Sequence, residues 1–209
     1  MKRNVYIYVF DSISDWEYGY LMAELNSGRY FKKDVSPFTV RLVGIDQGTI
    51  TTMGGLKVVP DISVERMRLT NEDLLVLPGG NTWSEAIQDP MLKKVGDALT
   101  TGTLVAAICG ATEALANTGH LDSHRHTNND LSYLQSVSST YRGESLYQAL
   151  PVVRDNNLIT ATGLAPLEFA KEVNEALDVF APDTLSAWCG LNKTNDSTYF
   201  FQLIEATNI

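Results

Sequence analysis

Cysteine and histidine are scarce in this chain, two and three respectively among 209 residues. The two cysteines, Cys109 and Cys189, cannot build a disulfide framework, and a lone pair so far apart in sequence fits a reducing compartment. Positive charge is also short: 16 Lys and Arg stand against 25 Asp and Glu, a net charge of −9. No Lys/Arg cluster along the sequence offsets that sign, so nucleic acid is not an expected partner. Long apolar runs are missing too. The run Val5 to Phe10 meets Asp11 at once, too short for a secretory leader, and no stretch approaches the roughly 18 apolar residues of a membrane span. The expected location is therefore the cytoplasm, away from membranes. Repeats and low-complexity linkers are absent, and a chain of this size can bury about 70% of its unfolded surface in one ordinary core.

What the chain does have is an even succession of apolar segments. Asn4 to Phe10 is β-branched and aromatic and stops at Asp11-Ser12; Phe38 to Val43, Asp73 to Leu77 and Thr103 to Ile108 are further strands. Leu150 to Arg154 and Leu158 to Ala161 flank an Asp-Asn-Asn turn and read as a hairpin. Between them the spacing predicts helices over Asp15 to Asn26, Thr82 to Thr100 with an interruption at Pro90, Gly110 to Asn117, and Pro166 to Phe180. Strands alternating with helices imply a mostly parallel sheet covered on both faces. Residues 1–182 are expected to form this α/β domain, and 183–209 a C-terminal extension packed on it.

In such sheets ligands bind at the carboxyl ends of the strands, which directs attention to three segments. In Ala106-Ala107-Ile108-Cys109-Gly110-Ala111 a thiol sits between a buried strand and a helix, flanked by small residues. That is the pattern of a nucleophile elbow, where bulky neighbours would clash with the sharp turn. A helix N-terminus beneath the sulfur is expected to lower the thiol pKa below its ordinary value near 8.5. Leu77-Pro78-Gly79-Gly80 follows the neighbouring strand and offers backbone N–H groups for an oxyanion. Glu17 follows the first strand. The three tryptophans, Trp16, Trp83 and Trp188, read as core packing before pocket lining.

Taken in order, Asp15-Trp16-Glu17, Leu77-Pro-Gly-Gly80, Ala106-Ala-Ile-Cys-Gly-Ala111, Gly119-His-Leu-Asp122 and Asp155 to Gly163 resemble the ThiJ/PfpI superfamily, over about residues 4 to 181. The resemblance implies a flavodoxin-like three-layer α/β sandwich of the class I glutamine amidotransferase type. It also implies a homodimer, a reactive elbow cysteine at Cys109, and a protonated carboxyl at Glu17 that shares a hydrogen bond with its thiolate. The departures narrow the chemistry. PfpI-type proteases carry a histidine directly after the nucleophile, where this chain has Gly110; other members place one seven residues beyond Asp122, where it has Asn129. No histidine follows His126, so the amidotransferase His-x-Glu pair is absent. His126 is the nearest substitute base, although strand alternation would point positions 126 and 129 to opposite faces.

The resulting expectation is an enzyme of small reactive carbonyls, glyoxalase- or deglycase-like. Cys109 attacks, Glu17 shuttles the proton with His126 as a further catalytic candidate, and Gly79, Gly80, Gly110 and Asn129 hold oxyanion and substrate. No metal or other cofactor is called for. An intracellular peptidase or amidase acting on peptides, and a non-turning-over sensor of oxidative stress, are the alternatives.

Overall fold

In the first strand, β1 (Asn4–Tyr8), successive side chains are buried on opposite faces of a sheet: Val5 and Ile7 join one core, Tyr6 and Tyr8 the other. The computed structural model describes residues 3–207; residues 1, 2, 208 and 209, at the outer ends of the two expected segments, lie outside the described residues. The remaining strands are β2 (Thr39–Gly44), β3 (Ile50–Thr51), β4 (Lys57–Val58), β5 (Ile62–Ser63), β6 (Leu74–Leu77), β7 (Leu104–Ile108), β8 (Val152–Asp155) and β9 (Leu158–Ala161). Seven of them form one sheet in the order β5-β2-β1-β6-β7-β9-β8. All neighbours pair in parallel except β8 with β9, which form the expected hairpin. The short β3–β4 ribbon stands apart.

The helices are α1 (Gly19–Ser27), α2 (Asp89–Thr101), α3 (Gly110–Asn117), α4 (Leu131–Val137), α5 (Pro166–Ala176), α6 (Pro182–Thr194) and α7 (Ser197–Thr207). Leu21 and Leu25 of α1, Phe169 and Val173 of α5 and Trp188 of α6 cover one face of the sheet. Met91 and Val95 of α2 and Leu115 of α3 cover the other. This is the flavodoxin-like α/β sandwich. Its chain reverses at β1, which lies between β2 and β6, so a crevice opens at the carboxyl ends of β1 and β6.

Three expected boundaries move. The first helix begins at Gly19, not Asp15, because the preceding residues are tied to loops: Ser14 N–H donates to Gly79 O at 2.9 Å, and the Asp15 carboxylate accepts from Gly54 N–H at 2.6 Å. Glu17 therefore lies in a turn ahead of α1. Pro90 starts α2 instead of interrupting a longer helix, as suits a residue without an N–H to leave unpaired. The helix over 166–180 stops at Ala176. Within 183–209, α6 and α7 pack on each other; Trp188 is buried, and its indole N–H donates to Glu24 Oε1 at 3.0 Å.

Candidate functional site

Cys109 terminates β7 and caps α3 with φ +58° and ψ −127°, a left-handed backbone that side chains rarely adopt. The turn is held by its neighbours. Cys109 N–H donates to Ala161 O at 3.0 Å. The Cys109 carbonyl accepts from the Thr112 N–H at 2.9 Å and the Thr112 hydroxyl at 2.6 Å. That hydroxyl in turn accepts from the buried Asn128 Nδ2 at 2.6 Å.

Glycines make room for the sulfur. A Cβ on Gly163 would sit 2.7 Å from Cys109 Sγ, and one on Gly79 would sit 2.8–2.9 Å from both Glu17 oxygens and from Cys109 Cβ. A side chain at either position would wedge the thiol from its surroundings.

Glu17 is 1% exposed. Its Oε2 accepts from Gly79 N–H at 2.5 Å, while the buried Oε1 completes no hydrogen bond. Ser14 and the Cys109 thiol both bear on its charge. Burial outweighs these favourable contacts and pushes the carboxyl pKa up to about 6.

The expectation of a depressed thiol pKa is overturned. Burial is the largest effect at Cys109 and pushes the thiol up; the Glu17 charge pushes the same way, against hydrogen bonds from Asn129 and from the Gly110 N–H. The helix start supplies a donor, as reasoned, but not enough to offset desolvation and a neighbouring anion.

Asn129 stands at the sulfur. Its Nδ2 donates to Cys109 Sγ at 3.5 Å, and its Oδ1 accepts from Gly163 N–H at 2.8 Å, which fixes which end of the amide faces the thiol. Gly80 and Gly110 line a pocket of about 440 Å³ along with Glu17, Cys109, Trp83 and Glu113; Asn129 meets the sulfur outside that lining. Among the described residues Gly80 N–H has no partner. Gly79 N–H, by contrast, is committed to Glu17, so Gly79 positions the carboxyl and has no free donor for an oxyanion.

His126 is not brought to this pocket. It is fully buried, its Nδ1 lies 2.7 Å from His124 O and its Nε2 2.7 Å from the Tyr141 hydroxyl. A carbonyl only accepts, so Nδ1 carries the proton and Nε2 accepts from Tyr141. Burial lowers its pKa and keeps the ring neutral. With both nitrogens occupied, it holds a loop together. Trp188 and Trp83 are buried as expected, but Trp83 also lines the pocket, with its indole N–H given to Pro78 O at 2.9 Å, and Trp16 lines it while 52% exposed. Among the described residues no group of three or more metal-ligating side chains occurs, and no helix is long and apolar enough to cross a membrane.

Sequence reasoning missed Gly163, visible only as the end of a motif, and Asn128, whose Asn-Asn run carried no signal of burial.

Residues 3–176 match the DJ-1/PfpI family. The chain belongs to that family. It is 58% identical over 206 residues to YoaZ of Bacillus subtilis, named an uncharacterized protease, covering 99% of this chain and 98% of that protein. The fold closely resembles the crystal structure of a thiJ/pfpI family protein from Bacillus anthracis, with TM-score 0.97 and 55% identity over 100% of this chain and 99% of that one. It also resembles the DJ-1 superfamily protein Atu0886 from Agrobacterium tumefaciens, with TM-score 0.78 and 31% identity over 92% and 98% of the two chains.

Proposed function

We propose that this DJ-1/PfpI protein is a cytoplasmic, cysteine-dependent enzyme of small reactive carbonyl compounds, glyoxalase- or deglycase-like. The observation that carries the reading is the strained Cys109 beside a buried carboxyl whose Oε1 is unpaired, in a pocket that, among the described residues, no histidine, lysine or arginine lines.

The chemistry follows from that pair. The Cys109 thiol gives its proton to Glu17 Oε1 as Sγ bonds to the carbonyl carbon, and the carbonyl π pair moves to oxygen. The free Gly80 N–H and the Gly110 N–H at the start of α3 receive that oxygen. Glu17 returns the proton, completing a hemithioacetal. With a 2-oxoaldehyde, Glu17 then takes the proton from the sulfur-bearing carbon to form an enediolate, the hydroxyl proton on that carbon passes to the neighbouring oxygen, and return of the Glu17 proton to the adjacent carbon leaves a thioester. Water hydrolyses the thioester, releasing a 2-hydroxy acid and restoring the thiol. A carboxyl pKa of about 6 suits a group that both takes and gives a proton near neutrality.

Purified protein is expected to convert methylglyoxal to lactate, and Cys109→Ser to lower kcat/KM by more than about 10³-fold. Unchanged turnover in Cys109→Ser would refute the reading.

Peptide hydrolysis is a second reading, favoured by the name of YoaZ. It asks more of the site, because the leaving amine must be protonated and Glu17 is the acid on hand. Cleavage of a casein-derived peptide that Cys109→Ser abolishes would place it first.

A further inference from the structure

Glu113 lines the Cys109 pocket and takes no part in the chemistry above. It lies in the first turn of α3, the helix that starts directly after Cys109. Among the described residues it makes no hydrogen bond and no ion pair, although it is half-buried. A carboxylate drawn partly out of water without a partner is costly unless a ligand supplies the partner. A second unpaired acceptor, Glu17 Oε1, lies in the same pocket on a side chain 1% exposed. Trp16 and Tyr133, 52% and 48% exposed, form outer walls, and Trp83 an inner one.

At its Glu113 side the pocket offers a neutral ligand no ionic contact and opposes an anionic one. A cation gains a charge-assisted contact with Glu113, in a pocket that three aromatic side chains also line. We infer that the pocket takes carbonyl compounds carrying a cationic nitrogen, ammonium or guanidinium, and that Glu113 selects them. This inference rests on the reading of Cys109 as the group that attacks carbonyls, and it narrows the substrate class.

Three phenylglyoxals bearing trimethylammonium, hydrogen or carboxylate at the para position test it, since they differ chiefly in charge at the far end. In the wild type kcat/KM is expected to fall in that order, with about tenfold between the cationic and neutral compounds. Glu113→Gln, with Glu113→Ala as a second variant, is expected to collapse the cationic-to-neutral ratio towards one. Equal values for all three compounds, or a ratio that survives both substitutions, would overturn the inference.

A binding arm separates this failure from failure of the carbonyl reading. In a Cys189→Ala background, trimethylammonium-bearing and sulfonate-bearing methanethiosulfonates are compared for their rate of modifying Cys109, read by mass spectrometry. If no phenylglyoxal turns over but the cationic reagent is faster and Glu113→Gln reduces that advantage severalfold, the cation site stands and the carbonyl reading falls. If the cationic reagent has no advantage that depends on Glu113, the cation site falls whatever the turnover.

Discussion

The segments around His126 and around Cys109 are both partly or wholly sunk into the protein, and both present groups able to exchange protons, yet they are built in opposite ways. At His126 both ring nitrogens have partners at 2.7 Å, and the rings of Tyr141 and Tyr147 stand edge-on to the imidazole. At Cys109 the backbone is left-handed, Glu17 Oε1 and Gly80 N–H are unpaired, and burial pushes both the thiol and the carboxyl up. Satisfied polar groups stabilise a scaffold; unsatisfied ones are tolerated where a reaction or a ligand completes them. The stereotype of histidine as the base points to the first region. The hydrogen-bond inventory points to the second.

The sharpest way to break this contrast is His126→Ala. Losing the ring leaves a cavity and orphans the Tyr141 hydroxyl and His124 carbonyl, so stability is expected to fall by about 3 kcal/mol, while kcat at temperatures where the variant is folded stays near the parent value. Urea unfolding and steady-state kinetics check the two halves, and a kcat loss of two orders of magnitude in folded protein would return His126 to the mechanism.

Glu17→Gln sharpens the contrast from the other side. The carboxyl titrates at about 6 in the folded protein against 4.5 ordinarily. The folded state therefore favours its proton, and the stability this confers is complete below pH 4.5 and lost as pH rises through about 6. The loss is about 2 kcal/mol. Glu17→Gln escapes it, so the variant is expected to exceed the parent in stability by about that amount at pH 8 and to match it below pH 4.5, in denaturation followed against pH.

A smaller effect is expected at Gly163. Gly163→Ala places a methyl group 2.7 Å from Sγ, displacing the thiol and lowering kcat/KM about tenfold, roughly 1.4 kcal/mol. Unaltered kinetics would mean that the close packing around the sulfur is incidental.

The order of the buried strands, the elbow at Cys109 and the loop at Gly79-Gly80 were legible because each is local: β-branched runs, small residues beside a thiol, paired glycines after a strand. The β3–β4 ribbon was not, since two-residue strands carry no periodicity. Helix α4, capped by Asp130 through Tyr133 N–H at 2.8 Å, is only seven residues long and buries only Leu134, too little for an apolar periodicity to mark it. The start of α1 was misplaced because what stops the helix at Asp15 is a hydrogen bond to Gly54, 39 residues away. The thiol pKa was misjudged in sign for the same reason: the helix terminus is local and visible, whereas burial and the approach of Glu17 arise only when β1, β6 and β7 come together.

The central claim is that Cys109 and Glu17 share one proton and that burial, with the Glu17 charge added to it, holds the thiol pKa up. Iodoacetamide alkylation of Cys109, followed by mass spectrometry from pH 5 to 11 in the parent and in Glu17→Gln, tests it directly. The account requires a parent pKa at or above the ordinary thiol value, a lower one in Glu17→Gln, and a fall in methylglyoxal turnover of about 10²-fold or more in the same variant. A parent pKa already well below 8.5, or a Glu17→Gln variant whose thiol pKa and turnover are both unaltered, would contradict it.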